Sequence, residues 1–197
     1  MPEVFLQEDL KQIEKELWTL LEKGVPSYKA PFHHACLATI HEHQPEIRTV
    51  VLREVEKEKR ELFFHTDIRS SKINAIKSNP HISLLFYDPD LRIQIRCTGR
   101  AFIHHQNEIT EMAWEKSRLS SKLYYTNKFS PGEGLTELAL IDLNRTEVTD
   151  EELKYAYNQF TVVTSKIEKI DWLFLHYKGH RRAEFNYLSN NFQWKQA

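Results

Sequence analysis

Glycine is scarce in this chain, with five in 197 residues, so a glycine-rich phosphate loop is nearly excluded. Cysteine is scarcer still. Cys36 and Cys97 sit far apart and outside any C-x-x-C pattern, which reads as two reduced thiols and not as a redox or zinc motif. Excess charge of either sign is absent: 27 Lys and Arg face 28 Asp and Glu, giving no reason to expect nucleic acid or an acidic membrane as partner. No apolar run approaches membrane-spanning length. The start M-P-E-V-F-L-Q-E-D lacks a basic region followed by an apolar run, so no signal peptide is expected, and a cytoplasmic location is. Any anion site must come from a local arrangement of cations.

Aromatic and β-branched runs are abundant. An apolar content of 41% in a chain of this length suits one domain over residues 1–197, with a core and surface helices. Leu6, Leu10, Ile13, Leu17, Leu20 and Leu21 recur at helical spacing, which predicts an N-terminal amphipathic helix within residues 1–25 that ends near Gly24. From about Pro31 the pattern changes to strands: H-A-C-L-A-T-I, R-T-V-V-L-R-E-V and E-L-F-F-H-T. A short helix fits Ser70 to Ser78, stopped by Asn79-Pro80. I-S-L-L-F-Y and Leu91 to His104 follow as strands, then a helical and irregular segment over residues 105–157. T-V-V-T-S, D-W-L-F-L-H-Y and R-R-A-E-F-N-Y give further strands. Short turns and few crossover helices predict a mainly β, antiparallel barrel with flanking helices. So small a barrel has little interior room, which places a ligand at its rim or at a subunit interface.

Polar residues interrupt these strands. Arg48 and Arg53 lie five apart on one strand and point to opposite faces if it is regular. They suit phosphate oxygens, though two solvated charges flanking a strand would give the same pattern. T-D-I-R-S-S-K puts hydroxyls and a lysine at a strand-to-helix turn, where backbone N–H groups and the helix dipole favour an anion; simple capping by Ser70 is the competing account. Gln94 alternates with Ile93 and Ile95, so it is either exposed or set beside a heterocycle. Trp172, Lys178, His180, Arg181 and Arg182 cluster near a hairpin, as surface decoration or as a wall and polar edge for a flat ring. The doublets His33-His34 and His104-His105 face opposite ways along a strand and cannot easily chelate one ion. His41-x-His43 shares a face but reads as an exposed hairpin beside Glu42 and Pro45, and no metal site is expected.

The order of these motifs resembles the pyridoxamine 5′-phosphate oxidase family of FMN-binding split barrels. Arg48-Thr49-Val50-Val51-Leu52-Arg53 is similar to the family's R-x-V-L-L-K strand. Phe64-His65-Thr66-Asp67 through Ser70-Ser71-Lys72 is similar to its F-Y-T-N-x-x-S-R-K turn. Asn79-Pro80 through Phe86, Ile93-Gln94-Ile95, and Asp171-Trp172 followed by Lys178-Gly179-His180-Arg181-Arg182 look like further segments. The resemblance implies a Greek-key-like split β-barrel, FMN as cofactor, and a homodimer with FMN at the interface. It implies that Arg48, Ser71 and Lys72 hold the phosphate, and that Thr49, Val50, Val51, His65, Thr66, Gln94, Trp172 and Arg182 line the rest of the flavin. Arg53, Trp114, Arg118, Ser121, Lys178 and His180 would hold a small-molecule substrate, with His180 and Arg53 at the reacting end.

The chain also departs from the family. One arginine of the phosphate turn is Ser71, the substrate tyrosine is Trp114, and strict spacing would put Lys122 where the family has serine. The implied activity is hydride transfer from a small substrate to flavin N5, with reoxidation by dioxygen. An NAD(P)H-dependent flavin reductase and a non-catalytic FMN carrier are the alternatives.

Overall fold

The computed structural model describes residues 3–197. After a 3-10 turn at Glu3–Leu6, helix α1 runs over Leu10–Gly24. The Asp9 carboxylate caps α1 by accepting from the backbone N–H of Lys11 at 2.9 Å and Gln12 at 3.2 Å. Ile13, Leu17, Trp18 and Leu21 fall on one face and are buried against the sheet. Truncating one of them, as in Leu17→Ala, costs ~3 kcal/mol. At the far end of the chain Tyr187 donates to Glu14 at 2.7 Å, and the Trp18 indole donates to both, which ties α1 to the last strands.

The strands are β1 (His34–His41), β2 (Gln44–Glu56), β3 (Glu61–Asp67), β4 (His81–Asp88), β5 (Ile93–His104), β6 (Phe160–Phe174), β7 (Arg181–Asn186) and β8 (Asn191–Lys195). They pair in the order β3-β2-β1-β4-β5-β6-β7-β8, all antiparallel, and β3 also pairs with β6. That last pairing closes six strands into a barrel and leaves β7 and β8 as an extension. The expected antiparallel split barrel is therefore the observed fold.

The two runs T-V-V-T-S and D-W-L-F-L-H-Y are halves of one 15-residue strand, β6. One edge of β6 follows β5 throughout. The other edge pairs with β3 over Phe160–Lys166 and with β7 over Lys169–Phe174. The change of partner falls at a bulge between Thr98, which pairs with Lys169, and Gly99, which pairs with Ile167. A Cβ at Gly99 would lie 1.9 Å from the Lys166 carbonyl oxygen, so only glycine allows this close approach.

Helix α2 is Ser71–Ser78. The segment before β6 holds α3 (Glu108–Lys116), α4 (Leu119–Leu123), a 3-10 turn at Tyr124–Thr126, and α5 (Asp150–Gln159). Residues 127–149 between them form neither helix nor strand. Strand β8 lies in a stretch that the sequence reading left without structure. No helix among the described residues is long and apolar enough to cross a membrane.

Candidate functional site

β2 is longer than the partner on one of its sides. Residues 44–51 pair with β1, but pairing with β3 begins only at Leu52. The backbone edge of Arg48, Thr49, Val50 and Val51 is therefore open on the side where the β3-to-α2 turn passes. Along this stretch the Arg48, Val50 and Leu52 side chains point inward, with Val50 and Leu52 in the core. Val50 can meet a ligand only through its main chain. Arg48 is the inward position at the mouth of the barrel, where apolar filling ends.

Arg48 Nη1 donates to Thr39 Oγ1 at 2.6 Å, and Nη2 pairs with Glu46 Oε2 at 2.5 Å. Opposite, Lys72 Nζ donates to Thr66 Oγ1 at 3.0 Å and to Ser70 Oγ at 2.5 Å. Thr39, Thr66 and Ser70 are all buried. Burial, and next the Arg48 guanidinium, draw the Lys72 ammonium below the usual lysine range, against the upward pull of Asp67. Ser70 occupies the N-cap position of α2 with extended backbone, but its hydroxyl makes no cap bond. It serves Lys72, so simple capping is not its role, and the backbone donors of the first turn of α2 have no side-chain cap. Two cations, three hydroxyls and a helix start converge on one point, a donor set that suits a phosphate monoester. Ser71, expected in this cluster, stands exposed beside it at the first helical position.

Asp67 takes Arg69 in a two-pronged pair, Nε at 2.9 Å and Nη2 at 2.7 Å. Arg69 then donates to the carbonyls of Asn127 and Lys128 and to the Tyr155 hydroxyl. This arginine ties the helical segment to the β3-to-α2 turn. Its position within T-D-I-R-S-S-K was legible in the sequence, but its partners, 58 to 86 residues away, were not.

Arg53 sits at a bulge of β2, where the register with β3 shifts between Leu52 and Glu54, and it is exposed. Near it His65 points outward from β3, its ring 4.9 Å from that of Phe160 and nearly perpendicular to it. Burial, with the Arg53 charge adding to it, pushes the His65 imidazole down to about 4, so it is neutral at pH 7. Phe160 also meets Trp114 and Tyr125, each with ring centroids 5.2 Å away. Trp114 is thus one member of an aromatic cluster, with Lys122 Nζ 5.0 Å over its ring. Tyr125, which sequence reasoning passed over, brings a phenol back to the neighbourhood where Trp114 stands in place of a tyrosine. Burial raises its pKa, with Arg53 opposing and Asp67 adding to the rise. Arg118 precedes α4 and is exposed, and Ser121 lies half-buried within α4.

A second group lies on the outer face of β5, β6 and β7. Gln94 pairs across to Leu173, and Leu173 to Arg182. Arg182 donates to Asp171 from Nε at 3.1 Å and Nη2 at 2.9 Å, and Arg96 donates to the same carboxylate at 2.9 Å. The carboxylate holds Arg182 above the usual arginine range.

Trp172 faces the other way. It is 0% exposed and sits in the core between Phe5, Phe174 and Trp194, its indole N–H without a partner. The expectation that Trp172 walls the ring of a ligand is corrected: strand alternation sends it to the face opposite Gln94 and Arg182. Lys178 and His180 stand exposed in the β6–β7 hairpin, around Gly179 at φ 130°. Among the described residues no three His, Cys, Asp or Glu side chains gather as metal ligands.

Residues 14–105 match the model of the pyridoxamine 5′-phosphate oxidase FMN-binding domain. The pyridoxine/pyridoxamine 5′-phosphate oxidase of Psychrobacter sp. (strain PRwf-1) is 30% identical over 97 residues, 49% of this chain and 43% of that protein. Its counterpart from Cronobacter sakazakii (strain ATCC BAA-894) is 32% identical over 108 residues, 47% of this chain and 49% of that protein. The matches thus span less than half the length of these relatives.

Among solved structures, a pyridoxamine 5′-phosphate oxidase-related FMN-binding protein from Nostoc punctiforme PCC 73102 superposes with a TM-score of 0.70 at 18% identity, covering 93% of this chain and 96% of that one. PhzG from Burkholderia lata 383, solved with tetrahydrophenazine-1-carboxylic acid, gives 0.68 at 16% identity, covering 100% and 96%. At such identities these two speak for the fold alone. Residues 14–105 thus resemble the pyridoxamine 5′-phosphate oxidase FMN-binding domain, the chain shares the fold of the FMN-binding split barrels, and FMN is the cofactor that this resemblance implies.

Proposed function

We propose that the protein is an FMN-dependent oxidoreductase acting on a small molecule, as a homodimer with FMN at the interface. The observation that carries this reading is the cluster of Arg48, Thr66, Ser70 and Lys72 beside the open edge of β2. Arg48 would present its fork, and Lys72 a point charge, to the phosphate. The free main-chain edge of Arg48–Val51 would meet the polar rim of the ring. When bound, FMN supplies a hydride acceptor at N5 that dioxygen can restore.

The dimer reading rests on the outer face of β1, β2, β4 and β5. Ile47, Leu85 and Tyr87 lie exposed there, next to Cys36 and Gln94 in the strand register. A second copy covering this face would bring its Gln94 and Arg182 towards the phosphate cluster of the first. On the substrate side, Arg53, Arg118 and Ser121 would hold an anionic group, and Trp114 would flank the ring of the substrate. Lys178 and His180 would close from the hairpin, with His180 and Arg53 nearest the reacting carbon.

The test is aerobic turnover of pyridoxamine 5′-phosphate by the FMN-loaded protein. Pyridoxal phosphate and peroxide above background support this substrate, and neither above background removes it. One observation favours a reductase on the same barrel: Trp114 is locked among Phe160, Tyr157 and Tyr125, where the family's substrate tyrosine is expected. Bleaching of bound FMN by NADPH under anaerobic mixing supports that second reading. A yellow protein inert to every donor leaves only the carrier.

A further inference from the structure

The outer face of β5, β6, β7 and β8 carries more positive charge than its own carboxylates balance. Its outward register positions hold Arg96, Arg100, Lys169, Arg182 and Lys195 against only Asp171 and Glu184. Asp171 takes Arg96 and Arg182, each at 2.9 Å. Glu184 takes Lys169 at 3.6 Å and Lys195 at 3.4 Å. Each carboxylate is thus shared by two cations, and Arg100 is exposed with no ion pair among the described residues. In a chain whose net charge is −1, this face is locally cationic.

The opposite charge lies in residues 127–149, which form neither helix nor strand. From Phe129 to Thr149 the chain has Glu133, Glu137, Asp142 and Glu147, none with an ion pair among the described residues. The one cation there, Arg145, is taken by Glu152 at 2.7 Å. From Leu138 to Thr146 exposed and half-buried residues alternate without a break. That is the pattern of an extended ribbon resting on its own chain along one side. The free side presents Leu138 and Leu140, 84% and 82% exposed, followed by Asp142. Two neighbouring leucines in water, flanked by unpaired carboxylates, suit a protein surface that is cationic with an apolar margin.

The place where the ribbon starts selects the partner. Arg69 holds the Asn127 and Lys128 carbonyls at 3.0 and 3.1 Å, so the ribbon leaves the body of the chain beside Ser70 and Lys72. In the homodimer proposed above, Gln94 and Arg182 of the second copy arrive at that point, and both lie on the cationic face. Leu85, opposite Arg96 in the register and exposed, gives this face its apolar margin.

We propose that residues 133–146 form an arm that docks on the β5–β8 face of a second copy of this chain. Leu138 and Leu140 rest on the apolar margin at Leu85, and Glu137 and Asp142 lie among the cations. In a two-fold dimer the contact is made twice, the arm of each copy on the face of the other. The proposal rests on the homodimer reading above and names the elements that hold the two copies together.

The test is sedimentation equilibrium of FMN-loaded protein and of two charge-reversed forms. Glu137→Lys with Asp142→Lys reverses the arm, and Arg100→Glu with Lys169→Glu reverses the face. None of the four lies in the flavin or substrate set. Each form alone sets like charges against each other and should weaken the dimer about tenfold or more. An equimolar mixture, with one form labelled, should restore association to within roughly threefold of wild type, because both contacts of the mixed dimer are again complementary. If the face-reversed form melts early, Arg100→Glu alone, at an exposed position, takes its place. Leu138→Ser with Leu140→Ser should also weaken the dimer about tenfold or more.

Reversed forms that dimerise like wild type, or a mixture no stronger than its components, overturn the proposal and leave the dimer and flavin readings in place. A wild type that stays monomeric with FMN bound overturns the dimer and the arm together and leaves the flavin.

Discussion

Lys72 and Arg182 are both cations beside the expected flavin, and the structure holds them in opposite ways. Lys72 lies half-buried among hydroxyls, near a second cation, and its pKa is lowered. Arg182 lies against the buried carboxylate of Asp171, which it shares with Arg96, and its pKa is raised. In the first arrangement burial and the Arg48 charge disfavour the ammonium form of Lys72, which a nearby anion would favour. The second is already satisfied. Two clusters that look alike in a sequence, each a run of cations near a strand end, are therefore held differently: Lys72 has no carboxylate partner among the described residues, and Arg182 has its direction fixed by Asp171.

That contrast can be broken most forcefully at Arg48 and Lys72. Either Arg48→Ala or Lys72→Ala should weaken FMN binding by about 10- to 100-fold, as expected for charge-assisted hydrogen bonds, with little change in melting temperature. Quenching of FMN fluorescence on titration measures it. Loss in neither variant would take the phosphate away from this cluster. The affinity of the wild type should also fall at alkaline pH, because Lys72 loses its proton below the usual lysine range, and Lys72→Met should abolish that dependence.

His65 sharpens the comparison next, as a group whose neutral form the fold favours. The unfolded chain takes up this proton near 6.5, but the folded chain only near 4. Between these values the unfolded state binds more protons, so stability falls as pH drops through the window. The cost is complete below about 4, absent above 6.5, and at most about 3 kcal/mol. Chemical denaturation at several pH values should show it, and His65→Gln should lose less stability than wild type on acidification.

Asp171→Ala comes third and should act on stability first. It leaves two arginines without their shared carboxylate at a partly exposed site, at a cost of about 1–2 kcal/mol, while FMN affinity falls less than in Lys72→Ala. An equal loss of affinity would erase the distinction between the two clusters. The smallest effect is expected at Trp172. Trp172→Phe removes a buried indole N–H that has no partner, so FMN affinity should not change and stability should drop by about 1 kcal/mol. A marked change in the spectrum of bound FMN would restore Trp172 to the ligand.

The barrel was legible in the sequence because its strands are short, alternating and separated by turn residues, as in Glu61–Asp67 with its buried Leu62 and Phe64. The grouping of Arg48, Thr66, Ser70 and Lys72 was legible as far as its members come from one continuous stretch. Ser70 and Ser71 are both serines at a helix start, so only the geometry shows which hydroxyl meets Lys72. Trp172 was misread because its neighbours carry the ligand-facing pattern, and a single step along a strand reverses the face. Thr39 and Arg69 were missed because their meaning depends on distant partners: Arg48 for one, the residues 127, 128 and 155 for the other. β8 was missed because it is a short, exposed edge strand with little apolar alternation to mark it.

The account rests on one claim, that Arg48, Thr66, Ser70 and Lys72 bind the phosphate of FMN. The direct measurement is the affinity of the protein for FMN against riboflavin, which has the same ring and no phosphate, in wild type and in Lys72→Ala. The account predicts that wild type prefers FMN by about 100-fold or more and that the preference collapses towards unity in the variant. Equal affinity of wild type for the two flavins, or an unchanged preference in Lys72→Ala, would contradict it.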